Sequence, residues 1–178
     1  MAQKSTIYKF RIALSDLERN YYDALNLTIA QHPSESLERM MARLLAFSIN
    51  AKVGLVFTKG LSSAEEPDIW IRTLDEQTSL WIDVGEPSVD RIKKASQQAR
   101  EVKVYSFNSK SDVWWEQGRS KFAMLKVSIF RFDSQSVKAF AALIERTMDV
   151  SITITGNSAF IAADLGECEV VWEPLQVV

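Results

Sequence analysis

Asp68, in the dipeptide Pro67-Asp68, and Asp83 are the residues of this chain whose type and spacing point most directly to chemistry. Two short runs rich in Ile, Val and Trp, Asp68 to Leu74 and Ser79 to Val84, are joined by the polar Asp75-Glu76-Gln77-Thr78 and predict an antiparallel hairpin. A turn centred on Asp75-Glu76 sets Asp68 opposite Asp83, Ile69 opposite Ile82 and Trp70 opposite Trp81. Opposed side chains on one sheet face have Cβ atoms about 5 Å apart. Two carboxylates that close repel each other, so the pair requires a metal, a shared proton or a nearby cation. Oxygen donors of this kind suit Mg²⁺ or Mn²⁺, which would polarise a phosphoryl oxygen and lower the pKa of a bound water.

Glu38 is the candidate third ligand. It lies about 100° around a predicted helix from Leu37, at the rim of the apolar stripe, with Arg39 and Arg43 projecting to the opposite side. Taken alone, Glu38 reads as a solvated helix-edge acid and Pro67-Asp68 as an ordinary turn former. Carboxylates are nevertheless the main chemical resource of the chain. Cys168 and His32 are its only cysteine and histidine, so disulfide frameworks, zinc clusters and Ser/His or Cys/His nucleophiles lack parts. His32, before Pro33, is expected to cap or hydrogen-bond locally.

These acids need a scaffold, and the apolar periodicity supplies one. Tyr8, Phe10, Ile12 and Leu14 alternate as a strand, followed after a polar break by Leu25, Leu27 and Ile29, a second strand. Leu37, Met40, Met41, Leu44, Leu45 and Ser48 share one helix face, and Val53 to Phe57 predicts a short strand before the loop Gly60 to Pro67. After the hairpin, Ser88 can cap a helix with inner face Val89, Ile92, Ser96 and Ala99, and Val102 to Phe107 returns as a strand in a parallel β-α-β element. Helices are expected over Ser111–Met124 and Ser134–Met148, with a strand over Leu125–Phe132 between them. A C-terminal meander follows through Ile152, Ile154, Ala159–Ala163 and Glu169–Trp172, turning at Gly156-Asn157. The expected fold is a mixed sheet with flanking helices, α+β or α/β, in a single domain spanning residues 1–178.

Longer stretches carry a resemblance. Thr6-Ile7-Tyr8-Lys9-Phe10, Asn20-Tyr21-Tyr22, His32-Pro33-Ser34-Glu35, the run Glu38 to Phe47, Glu66-Pro67-Asp68 and Leu80-Trp81-Ile82-Asp83-Val84-Gly85 resemble the YaeQ proteins along essentially the whole chain. The resemblance implies a variant of the restriction-endonuclease-like fold of the PD-(D/E)xK superfamily. By position Glu38 looks like its first-helix acid, Pro67-Asp68 like the PD element and Asp83 like the (D/E). Gly85 stands where the lysine belongs, and relocation of that cation onto the next helix would make Arg91, Lys93 or Lys94 the substitute. Arg91 and Lys94 are the substitutes taken into the site, although the helix needs a polar face in any case, which makes solvation the expected role of at least two of the three.

The implied activity is metal-dependent cleavage of nucleic acid, with Glu38, Asp68 and Asp83 holding Mg²⁺ or Mn²⁺. The alternative is a nuclease-fold binding or scaffold module that has lost catalysis, for which Gly85 is the evidence. A net charge of -2 gives no global pull toward polyanions, so a phosphate site must be a local patch. No apolar run approaches the ~20 residues of a membrane span, and no signal peptide pattern opens the chain, which predicts a cytoplasmic protein.

Overall fold

The computed structural model describes residues 4–59, 61 and 63–178. The elements in chain order are β1 (Thr6–Asp16), β2 (Tyr21–Gln31), α1 (Leu37–Ile49), β3 (Val56–Phe57), β4 (Ile69–Arg72), β5 (Thr78–Val84), α2 (Val89–Gln98), β6 (Ala99–Ser106), α3 (Ser111–Phe122), β7 (Ser128–Phe132), α4 (Ser134–Ala141), β8 (Thr147–Thr155), β9 (Ser158–Ala163) and β10 (Gly166–Gln176). The fold class is mixed α+β. The chain packs as two compact units, Met1–Ile49 with Asp133–Trp172, and Asn50–Phe132 with Glu173–Val178. Among the described residues no helix is long and apolar enough to cross a membrane.

In the first unit the strands lie in the order β2-β1-β8-β9-β10, with β1 and β8 parallel and the pairs β1-β2, β8-β9 and β9-β10 antiparallel. Strict alternation explains β1: Tyr8, Phe10, Ile12 and Leu14 are buried, while Lys9, Arg11 and Ala13 face water. The same period corrects one expectation. The helix anticipated over Ser134–Met148 stops at Ala141, because Met148, Val150, Ile152 and Ile154 bury alternate side chains in β8 beside β1. Asp133 caps α4 by accepting the Ser136 N–H at 2.9 Å. Helix α1 is buried on all sides from Met40 to Ser48, wider than the single stripe predicted from its spacing.

In the second unit the order is β7-β6-β5-β4-β3, with β5, β6 and β7 parallel and the β3-β4-β5 segment antiparallel. Helices α2 and α3 are the crossovers between the parallel strands. Their core joins Trp81, Ile92, Ala95, Val102, Val104, Phe122, Val127 and Ile129. Ala95 therefore takes the inward place expected of Ser96, while Ala99 packs against this core, caps α2 by donating its N–H to the Ala95 carbonyl and opens β6. The anticipated strand Val53 to Phe57 shrinks to two residues, since Gly54 has φ +89° and Val53 is 96% exposed. Gly60 and Ser62, in the loop read ahead of Pro67, lie outside the described residues.

A candidate site of two acids and one guanidinium

The hairpin adopts the register expected from its turn: Ile69 pairs with Ile82 and Trp70 with Trp81. The irregularity falls between Ile71 and Arg72, at the turn end, and leaves the acid end of the hairpin undisturbed. Asp68 stands just before β4. Its backbone N–H donates to the Ile82 carbonyl at 3.1 Å, and its Oδ2 accepts the Val84 N–H at 2.8 Å. Asp83, one residue from the end of β5, shares a sheet face with Trp81 two positions earlier. Asp68 and Asp83 are 4% and 3% exposed.

The cation that such a pair requires comes from α2. Ser88 caps this helix by accepting the Arg91 N–H at 3.2 Å, which fixes Arg91 in its first turn. The Arg91 guanidinium grips Asp83 with two bonds, Nε to Oδ2 at 2.9 Å and Nη2 to Oδ1 at 3.0 Å. It also donates to the carbonyls of Ala64 and Glu66, each at 2.9 Å, and lies 5.9 Å from the centroid of the Trp81 ring. Arg91 thus joins the acid to the segment that leads into Asp68. Of the helix cations named from the sequence, Arg91 is the one brought to the acids; Lys93 and Lys94 point into solvent.

Burial pushes the Asp83 carboxyl above its ordinary range, the Arg91 guanidinium pulls the other way, and the nearby charge of Asp68 adds to the upward push. The Trp81 indole also favours the ionised form, although its buried Nε1–H makes no hydrogen bond of ordinary geometry. Arg91 meets Asp83 directly, and Asp68 acts on Asp83 through its nearby charge.

Gly85 follows Asp83 by two residues and turns the chain out of β5. Its φ is +120°, a conformation open to glycine and strained for any residue with a Cβ. Space is not the obstacle, because an added Cβ would meet only Phe107 at 4.0 Å. The chain leaves β5 through this turn, with the Gly85 N–H donating to the Tyr105 carbonyl at 2.8 Å, so a lysine two residues after Asp83 would cost backbone strain. The site lies at the carboxyl end of the parallel strand β5, where α/β sheets commonly bind ligands. There Glu86 Oε1 accepts the Asn108 N–H at 2.9 Å and ties the loops after β5 and β6 together.

Glu38, the third acid expected, is half-buried in the first turn of α1 in the other unit. Sequence reasoning missed its neighbour Glu35, which is buried and accepts Arg43 Nε at 2.9 Å, Arg43 Nη2 at 2.7 Å and Arg39 Nη1 at 2.6 Å. Arg43, expected to project away from the core rim, is itself buried. The spacing Glu35, Arg39, Arg43 is the four-residue repeat of one helix face and was the available signal. His32 accepts the Ser34 N–H through Nδ1 at 3.1 Å, the local bond expected of it.

Asp68 and Asp83 offer the hard oxygen donors that Mg²⁺ accepts alongside water and phosphate. Both Asp83 oxygens are held by Arg91, however, and among the described residues no three His, Cys, Asp or Glu side chains are grouped where they could hold a metal ion. The donors fit a divalent cation in chemistry, with the guanidinium standing against them.

Fold and site define a mixed α+β protein with a buried acid pair at the end of a parallel strand, neutralised from the following helix. The chain belongs to the YaeQ family: the family model described as "YaeQ protein" matches residues 1–172. It is 40% identical over 172 residues to "Uncharacterized protein YaeQ" of Escherichia coli (strain K12), covering 96% of this chain and 95% of that protein. A relative of the same description from Salmonella typhi is 40% identical over 164 residues, 91% of each chain. Among solved structures, the YaeQ protein from Xanthomonas axonopodis pv. citri is similar with a TM-score of 0.94 at 35% identity, over 98% of this chain and 99% of that one. The YaeQ protein from Pseudomonas syringae matches with a TM-score of 0.94 at 34% identity, over 99% of both chains.

Proposed function

We propose that this chain is a PD-(D/E)xK-type variant of the restriction-endonuclease-like fold and a cytoplasmic, metal-dependent phosphodiesterase acting on nucleic acid. The observation that carries this reading is the meeting of Asp68, Asp83 and Arg91 on one sheet face, with a guanidinium 2.9 Å from an acid oxygen. Phosphoryl transfer asks a protein chiefly to position charge: acids to hold a cation, and a cation to meet the developing negative charge. Asp68 and Asp83 supply the first and Arg91 the second, in place of the lysine that Gly85 excludes. Mg²⁺ or Mn²⁺ held there would polarise a phosphoryl oxygen and acidify a water. Glu38 belongs to the proposed ligand set through the sequence resemblance, and Lys94, exposed on α2, is the second cation available to a phosphate backbone.

A second reading, a nuclease-fold binding or scaffold module without turnover, is favoured by the engagement of both Asp83 oxygens by Arg91. Cleavage assays separate the two. Wild type, Glu38→Gln, Asp83→Asn, Arg91→Ala and Lys94→Ala are incubated with single- and double-stranded DNA and RNA, each with Mg²⁺, Mn²⁺ or chelator. Weak metal-dependent cleavage that Asp83→Asn abolishes supports the enzyme. Activity surviving Asp83→Asn marks a contaminating nuclease, and no cleavage on any substrate leaves the module as the better account.

A further inference from the structure

Strand β2 ends the strand order of the first unit and pairs with β1 in an unbroken antiparallel register from Tyr21 to Gln31. The direction of its backbone groups follows from β1. The Lys9 N–H donates to the Arg146 carbonyl and, just past the strand, the Leu17 N–H to the Ile154 carbonyl, each at 2.9 Å. The odd-numbered residues of β1 therefore turn their N–H and C=O toward β8, and Phe10, Ile12 and Leu14 turn theirs toward Leu27, Leu25 and Asp23 of β2. It follows that Ala24, Asn26, Thr28 and Ala30 direct their backbone groups away from β1, and all four residues are exposed. The chain itself meets the two ends of this row: Asp23 Oδ1 accepts the Ala24 N–H at 2.8 Å, and the Ala30 carbonyl accepts Arg43 Nη2 at 3.0 Å. Between them lie the outward donors and acceptors of Asn26 and Thr28.

Proteins blunt an open sheet edge with lysine, proline, a bulge or a short strand. β2 has none of these: it is 11 residues long, its register has no shift, and Asp23 is its one charged residue. On its inner face Ile29 is buried while Leu25 and Leu27 are half-buried, so a strand added at this edge would cover both leucines. We propose that β2 is a dimer interface, pairing antiparallel with β2 of a second copy of this chain about a two-fold axis at Leu27. In that register Asn26 of one copy stands opposite Thr28 of the other, and each such pair exchanges both its N–H···O bonds. On the inner face Leu27 meets Leu27, Leu25 meets Ile29, and Asp23 meets Gln31. A second copy is the occupant because the strand matches itself, apolar on apolar and its one acid on an amide, with no like charges opposed. Moving the axis to Asn26 would set Asp23 against Ile29 instead. The interface is independent of Asp68, Asp83 and Arg91.

Sedimentation across a range of protein concentrations tests this on wild type, Thr28→Ala, Thr28→Pro and Leu27→Glu. Thr28→Pro removes an outward N–H and costs β1 no bond, whereas Leu27→Glu leaves the backbone intact and sets two like charges opposite each other, which guards against a misfolded proline variant. The expected result is a dimer for wild type and for Thr28→Ala, whose backbone donor is kept, and a dissociation constant raised about tenfold or more in Thr28→Pro and Leu27→Glu. In a Cys168→Ser background, Leu27→Cys should cross-link the dimer through a disulfide on oxidation, since directly opposed Cβ atoms lie about 5 Å apart. A wild type that stays monomeric at every concentration, or a dimer that Thr28→Pro and Leu27→Glu both leave intact, overturns the proposal. A dimer in which Leu27→Cys forms no cross-link overturns the axis at Leu27.

Discussion

Two buried acid and arginine clusters, one in each unit, use the same chemistry to opposite ends. In the first unit one acid has two arginines: Glu35, 1% exposed, is gripped by Arg43, 6% exposed, and by Arg39. Arg43 also donates to the Ala30 carbonyl at 3.0 Å and so ties the helix start to β2. The bonds to Glu35 run from 2.6 to 2.9 Å. In the second unit one arginine holds Asp83 beside a second acid, Asp68, and the arginine is a third exposed. Burial of an ion pair is common to both and therefore marks neither as functional. The difference lies in the open side: the Arg91 side chain is 32% exposed, against 15% for Arg39 and 6% for Arg43.

Breaking the first cluster should give the largest effect on stability. Removing one partner of a buried pair leaves an uncompensated charge, so Glu35→Ala or Arg43→Ala should lose about 3–5 kcal/mol in urea denaturation. Mn²⁺ binding by the surviving folded fraction should be unchanged. A loss under about 1 kcal/mol would mean that Glu35 and Arg43 are not the structural counterpart drawn here.

Placing a lysine at Gly85 sharpens the second cluster. Gly85→Lys puts a side chain at φ +120° and should cost about 1–3 kcal/mol of stability, read by the same denaturation. A variant as stable as wild type would show that the turn does not demand glycine and would remove the physical reason for the proposed role of Arg91 in place of a lysine.

A smaller effect concerns pH. The folded Asp83 holds its proton to higher pH than the unfolded chain does, because burial raises its pKa. As pH rises from the ordinary carboxylate value through the raised one, the native state binds more protons than the unfolded state, and stability falls. Below the ordinary value that penalty is absent. Comparing denaturation across this window, wild type should lose stability with rising pH relative to Asp83→Asn; parallel profiles would contradict the shift. Smallest of all, Arg11 and Asp149 form an ion pair whose side chains are 66% and 63% exposed, and Arg11→Ala should change stability by no more than about 1 kcal/mol.

The hairpin register was legible because the polar Asp75-Glu76 turn fixes the pairing of Trp70 with Trp81 and of Ile69 with Ile82. That the acids need a metal, a shared proton or a nearby cation followed from Coulomb repulsion, and the family resemblance named α2 as the element to supply the cation. Which of Arg91, Lys93 and Lys94 it would be was not legible, since the answer depends on the Ser88 cap that sets the helix phase relative to Asp83. The over-long α4 shows the same limit. Residues 142–148 carry no strong breaker, and the switch to β8 is imposed by pairing with β1, far away in sequence. Glu35 was hidden for a different reason: a charged residue near a helix start reads as solvated unless its two arginine partners are considered with it.

Under the proposed function, Asp68 and Asp83 form a cation site of the native state. A ligand that binds only the folded protein stabilises it by RT ln(1 + [L]/Kd), so the melting temperature should climb with Mg²⁺ or Mn²⁺. Asp68→Asn keeps an acceptor for the Val84 N–H and removes only the charge, which isolates the metal term from the fold. The most direct measurement is therefore the melting temperature of wild type and Asp68→Asn across a Mg²⁺ and Mn²⁺ titration. A rise in wild type that Asp68→Asn reduces is the result predicted. Melting temperatures that stay level for both proteins, or rise equally in both, would contradict the claim.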